Sequence, residues 1–141
     1  MNVQPYLFFN GRAEEALNFY TKALGTKPDM LMRNREAPEQ PPPGMLPPGS
    51  EDKVMHASFR VGDTEVMLSD GRCSGTPKFD GFALSITAAD EADARRKFDA
   101  MSAGGEVTMP LGRTFWSQCF GMLTDRFGVG WMMSVASEGS A

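Results

Sequence analysis

The feature that most constrains this chain is an order of elements that occurs twice. Residues 3–9 are apolar and rich in aromatics and read as a strand. Asn10 stands where it can cap a helix, with Glu14 and Glu15 at the positive end of the helix dipole. Ala13, Ala16, Leu17, Tyr20 and Leu24 follow at helical spacing, and Gly25 supplies a left-handed stop. Three extended segments come next: Pro28–Arg33, Val54–Val61 and residues 65–69, the last two joined into a hairpin by Gly62-Asp63. A linker over 73–80 leads into the same order again. It comprises a strand over 81–87, a helix over 90–101 with Ala94, Phe98 and Met101 on one face, a Gly104-Gly105 stop, and extended segments over 106–109, 115–123 and 129–135. The small polar tail from Ala136 is expected to fray.

Each repeat has one helix to cover a four-stranded sheet, so the other face of that sheet lacks a cover. This predicts an α+β fold of two βαβββ modules, over 1–71 and 80–136, with curled mixed sheets that enclose a shared cavity or pack on a partner chain. A length of 141 residues has room for both modules in one domain.

Charge limits the partners. The net charge is −4 and there is no basic run, which leaves no electrostatic footprint for nucleic acid or an anionic membrane. No apolar run is long enough to span a bilayer, and the first residues lack the charged region of a signal peptide. A cytoplasmic protein is expected. Cys73 and Cys119 form no Cys-x-x-Cys pair and read as free thiols, with a single disulfide as the alternative.

Residues 34–53 differ in character. Six of the chain's ten prolines fall there, at Pro38, Pro41, Pro42, Pro43, Pro47 and Pro48. Such density excludes helix and central strand. A disordered segment and a lid over a cavity both fit.

Several segments resemble one superfamily. The run from Tyr6 through Asn10-Gly11 and Phe19-Tyr20 to Leu24-Gly25 is similar to the opening strand and helix of the vicinal-oxygen-chelate superfamily, which includes glyoxalase I, extradiol dioxygenases and bleomycin-resistance proteins. His56-Ala57, Val66-Met-Leu-Ser-Asp70, Thr114-Phe-Trp116 and Thr124-Asp-Arg-Phe-Gly-Val-Gly-Trp131 resemble the narrower PhnB-like group. The resemblance implies paired βαβββ modules, a cup-shaped site and a homodimer. It does not imply a reaction, because this fold hosts many chemistries.

Metal enzymes of the superfamily place His, Gln or Glu on the first and last strand of each module. By register those positions fall near Pro5, at Met67 or Leu68, at Gly81 or Phe82, and near Met132, none of them a nitrogen or oxygen ligand for zinc, nickel or iron. The chain has one histidine, so two histidines cannot meet within it. An all-oxygen site using Asp70 with Asp63 or Asp80 is the alternative to the turn roles that their glycine neighbours favour. No metal and no cofactor is expected. No Gly-x-Gly-x-x-Gly follows a strand, so a methyltransferase assignment has no support in the sequence.

The candidate ligand-binding residues are His56, Ser58, Ser69, Asp70, Trp116 and Gln118. His56 is the chain's one histidine, the residue type suited to donate to or accept from a ligand, and it shares a strand face with Ser58. Ser69 and Asp70 end the hairpin. Trp116 and Gln118 share a face if 115–123 is a strand. Phe115 and Trp131 are further aromatic candidates, with core or dimer packing the plainer role for Trp131. The many methionines suit either an adaptable cavity or an ordinary core. Two functions follow: a metal-free small-molecule binder acting as a homodimer, or an enzyme with an atypical site, such as a His56–Asp70 acid-base pair.

Overall fold

The computed structural model describes residues 1–136. The expected frayed tail lies, apart from Ala136, outside the described residues. The chain divides into two compact units, Met1–Pro77 and a second beginning at Lys78. Both are mixed four-stranded sheets with one helix.

The first unit runs β1 (Tyr6–Phe8), α1 (Ala13–Leu24), β2 (Pro28–Arg33), β3 (Val54–Val61) and β4 (Thr64–Ser69), in sheet order β1-β4-β3-β2. Only β1 and β4 are parallel; the other neighbours are antiparallel. The predicted stripe of α1 is the buried one: Ala13, Ala16, Leu17, Tyr20 and Leu24 all pack inward. Tyr20 is fully buried and stacks on Phe59 of β3 at 5.9 Å between ring centres. Burying each of these large side chains contributes roughly 1.5–3 kcal/mol. Gly25 is left-handed as expected, at φ 69°.

The start of α1 differs from the sequence expectation. Asn10 does not cap it; its amide donates to the Gly75 carbonyl and accepts from Lys53. The cap is Asp70, from the end of β4, whose Oδ1 accepts from the N–H groups of Gly11 (2.8 Å) and Ala13 (3.0 Å). A partner 57 residues away in sequence is beyond any local capping pattern. Strand β1 is also shorter than predicted. Its ladder partners on β4 are only Met67, Leu68 and Ser69, and Pro5 has no N–H to extend the pairing.

The proline-rich segment is tied at its neck. The Asn34 N–H donates to the Lys53 carbonyl, the Asn34 amide to the Ser50 carbonyl, and Arg35 N–H to the Glu51 carbonyl. Arg35 and Asp52 form an ion pair across the same neck.

The second unit runs β5 (Leu84–Ala88), α2 (Glu91–Ser102), β6 (Glu106–Gly112), β7 (Phe120–Thr124) and β8 (Gly130–Val135), in order β5-β8-β7-β6. Asp90 caps α2 by accepting from Asp93 N–H at 2.7 Å. Ala94, Phe98 and Met101 are buried, as their spacing predicts. Strand β6 continues past Pro110, which an edge strand tolerates. Strand β7, in contrast, starts at Phe120 rather than 115. Thr114 and Ser117 close a turn on each other, and Ser117 Oγ donates to carbonyls of Cys119 and Val135. Hydroxyl turn chemistry there overrides the strand preference of Phe115 and Trp116.

Among the described residues no helix is long and apolar enough to cross a membrane. Both cysteines are free and buried, Cys73 in the first unit and Cys119 in the second. Burial pushes the Cys119 thiol above its ordinary value of 9.0, and Arg95 pulls it partly back. The thiol therefore ionises more readily in the unfolded chain. Its share of stability is intact below about pH 9 and declines as pH rises beyond that. We expect a disulfide-exchange reagent to label neither cysteine of the folded protein at about pH 8, and both once urea unfolds it. Rapid labelling of native Cys119 would contradict this burial.

Candidate functional site

In the first sheet, strand alternation sorts the residues onto two faces. Ala57, Phe59, Val66, Leu68 and Leu7 are buried on the face under α1. His56, Ser58, Met67 and Ser69 therefore project from the opposite face, with their ladder partners Met30, Met32, Tyr6 and Phe8. Two small serines lie buried among the methionines and aromatics of this helix-free face. Ser58 and Ser69 are each 2% exposed, whereas Phe8 is 55% exposed at its margin. Tyr6 and His56 meet over it, with the phenol Oη 3.0 Å from His56 Nδ1. His56, Ser58 and Ser69 are thus brought to one surface, as strand alternation predicts for the first two.

Asp70 is not available to a ligand in the manner proposed from sequence. It is 4% exposed, and besides its two bonds to the start of α1 its Oδ2 accepts from Val54 N–H at 2.8 Å. The carboxylate ties helix α1 and strand β3 to the end of β4. It makes no bond to His56, whose partner is Tyr6, so the His56–Asp70 acid-base pair is not formed. The same commitment to backbone donors leaves no basis for a cation site with Asp63 or Asp80. Among the described residues no three His, Cys, Asp or Glu side chains come together.

The second sheet has a helix-free face of its own. A Cβ on Gly121 would lie 2.9 Å from the Phe98 ring of α2, so Gly121 faces the helix and its neighbours Phe120 and Met122 face away. Met109, Met122 and Met132 lie in successive register across β6, β7 and β8, and Ser85 of β5 pairs with Met132. Trp116 reaches this face from the 113–119 turn, its ring 5.3 Å from Phe120. The shared strand face expected for Trp116 and Gln118 does not exist, because both precede β7; Gln118 is exposed in the turn. Trp131 is core, 3% exposed on the α2 side, with its indole N–H donating to Asp125 Oδ2 at 2.8 Å.

The methionines divide in a way composition could not show. Met101 on α2 and Met133 on β8 are buried between helix and sheet, but Met30, Met32, Met67, Met109, Met122 and Met132 are on the helix-free faces and at least partly accessible. The positions where this fold places metal ligands can be read from the register. Tyr6 pairs with Met67, and Ser85 with Met132. The ligand position on the first strand is thus nearer Tyr6 than Pro5, and on β5 nearer Ser85 than Gly81 or Phe82, both of which precede the strand. Thioethers, one serine and a phenol engaged with His56 do not fit a divalent transition metal.

One cleft of about 500 Å³ opens beside this first face, lined by Phe8, Asn10, Arg72, Ser74 and Thr76 among others. Tyr6, Phe8 and Arg72 were not singled out from the sequence. Nothing in a three-residue strand or a linker arginine marks them before the pairing is known.

The profile of the Glyoxalase/Bleomycin resistance protein/Dioxygenase superfamily matches residues 2–133. Protein YjdN of Escherichia coli (strain K12) is 32% identical over 145 residues, covering 98% of this chain and 97% of that protein. Among solved structures, protein PA1353 from Pseudomonas aeruginosa is 37% identical with a TM-score of 0.84, covering 98% of this chain and 99% of its own. A PhnB protein from Bacillus cereus, described as a proposed 3-demethylubiquinone-9 3-methyltransferase, is 30% identical with a TM-score of 0.77, covering 96% of this chain and 100% of its own.

Proposed function

This chain belongs to the Glyoxalase/Bleomycin resistance protein/Dioxygenase superfamily, and from that premise we propose that it holds a small, largely apolar organic molecule on the helix-free face of its first module, without a bound metal. The observation that carries the reading is the Tyr6–His56 pair, 3.0 Å apart over a face lined by Met30, Met32 and Met67. Methionines adapt to irregular apolar shapes, and a phenol-imidazole pair gives an orienting polar contact. The metal-free form of the reading rests on the side chains at the ligand positions, which are soft or already engaged. The methyltransferase description of the Bacillus cereus relative is not extended to this chain, which has no glycine-rich nucleotide loop after a strand.

The same reading includes a symmetric homodimer in the cytoplasm. It is supported by the exposed aromatic rings of Phe8 (55%), Trp116 (50%) and Phe115 (96%), surface of the kind a partner chain covers. Native mass spectrometry of the protein purified from the cells that naturally make it tests both parts. The expected species is two chains with a retained molecule of a few hundred daltons (on the order of the size such clefts take), unaffected by a chelator. Met67→Lys should lower the retained fraction about tenfold by placing a charge on the face. A bare monomer, or a retained transition metal lost with His56→Ala, would sink the reading.

A further inference from the structure

We propose that the cleft beside Phe8 takes the carboxylate of a small organic acid, with Arg72 as its anchor and the Phe8 ring as the support for its apolar part. This rests on the small-molecule reading above and gives it a substrate class.

The argument is a count of what the cleft offers. Its volume, about 500 Å³, suits a small organic molecule. The one carboxylate in its wall, Asp70, already accepts three backbone N–H bonds and has little left to offer a ligand. The Asn10 side chain is likewise engaged, with Gly75 on one side and Lys53 on the other. Among its side chains, what remains open is one cation and two hydroxyls able to donate. Arg72 is exposed and makes no ion pair or hydrogen bond among the described residues, and neither do the hydroxyls of Ser74 and Thr76. A second cation stands close behind, since Lys53 Nζ is 3.1 Å from Asn10 Oδ1. A cleft whose unused polar groups are a guanidinium and two hydroxyls selects an acceptor-rich, negatively charged group. One planar guanidinium matches a carboxylate through two parallel hydrogen bonds.

The apolar half is equally defined. Gly71 has φ +60°, and a Cβ there would lie 3.2 Å from Phe8 Cδ1, so the backbone approaches the ring as only glycine allows. The ring is thereby held at the junction between the cleft and the helix-free face, because Phe8 also pairs with Ser69 on that face. A ligand with its acid at Arg72 would lay its apolar body over Phe8 towards Tyr6 and His56.

Isothermal titration with two matched probes tests this. 2-Naphthoate and 2-naphthylmethanol share a ring system and differ in charge. The wild-type protein should bind naphthoate about tenfold more tightly than the alcohol, and Arg72→Gln should remove that preference while leaving the alcohol's affinity unchanged. Backbone amide shifts on adding naphthoate should concentrate at Gly71 to Thr76. Equal affinity of wild type for both probes, or an unchanged preference in Arg72→Gln, would overturn the carboxylate assignment and leave the small-molecule reading standing. Failure of wild type to bind either probe would count against both.

Discussion

Asp70→Ala should lower the stability of the first unit by about 4 kcal/mol. The side chain is 4% exposed, and its two oxygens accept from Gly11, Ala13 and Val54. Alanine would leave all three N–H groups without this acceptor, and those of Ala13 and Val54 are buried where water reaches poorly. Each buried, unpaired donor costs about 1–3 kcal/mol, and bonds to a charged acceptor are at the strong end. Asp70→Asn keeps an oxygen but turns the other position into a donor facing a donor, so about half the loss should remain. Urea unfolding followed by circular dichroism measures both variants, with the first unit's transition read separately if the two units do not melt together. A loss below about 1 kcal/mol for the alanine variant would show that the three bonds are replaced by solvent.

Gly105→Ala should cost the second unit about 3 kcal/mol through a different mechanism, overpacking against backbone. A Cβ there would lie 2.2 Å from the Thr124 carbonyl oxygen, 2.8 Å from Asp125 C and 2.9 Å from Asp125 Cα. The obstructing segment has little freedom to withdraw. Asp125 is held by bonds from Phe127 N–H, Val129 N–H and the Trp131 indole, and Arg126 donates twice to the Ala103 carbonyl at the end of α2. Gly62→Ala is the control. It has open space around it but a φ of +58°, so only the left-handed backbone penalty of about 1 kcal/mol applies. If the two variants melt alike, close packing at Gly105 is not the constraint.

How much of this was legible in the chain depends on how local the cause is. Helix α1 was, because its buried stripe and its glycine stop are both properties of consecutive residues. So was the β3–β4 hairpin, whose turn residues lie between its strands. The edges of β1, β5 and β7 were not. A strand ends where its neighbour stops offering partners, and for β1 that neighbour is β4, some sixty residues on in sequence (about the separation of Tyr6 from Met67). The turn at 113–119 was missed because aromatic residues favour a strand and the Thr114–Ser117 contacts that oppose it appear only once the chain folds back.

The candidate site divides in the same way. The sequence alone determined that His56 and Ser58 share a face, since alternation along a strand needs no partner. It also determined that each module has one helix for four strands. Tertiary structure decided which face that helix covers, and so which residues a ligand can meet. It placed Tyr6 on His56, chose the core for Trp131 over a ligand wall, and brought methionines from six positions onto the open faces. It also engaged Asp70 in holding helix α1 to the sheet. The physical reason is that a side chain's partners are set by strand register and by buried donors far away in sequence, and a backbone N–H with no local acceptor takes the nearest carboxylate that folding delivers.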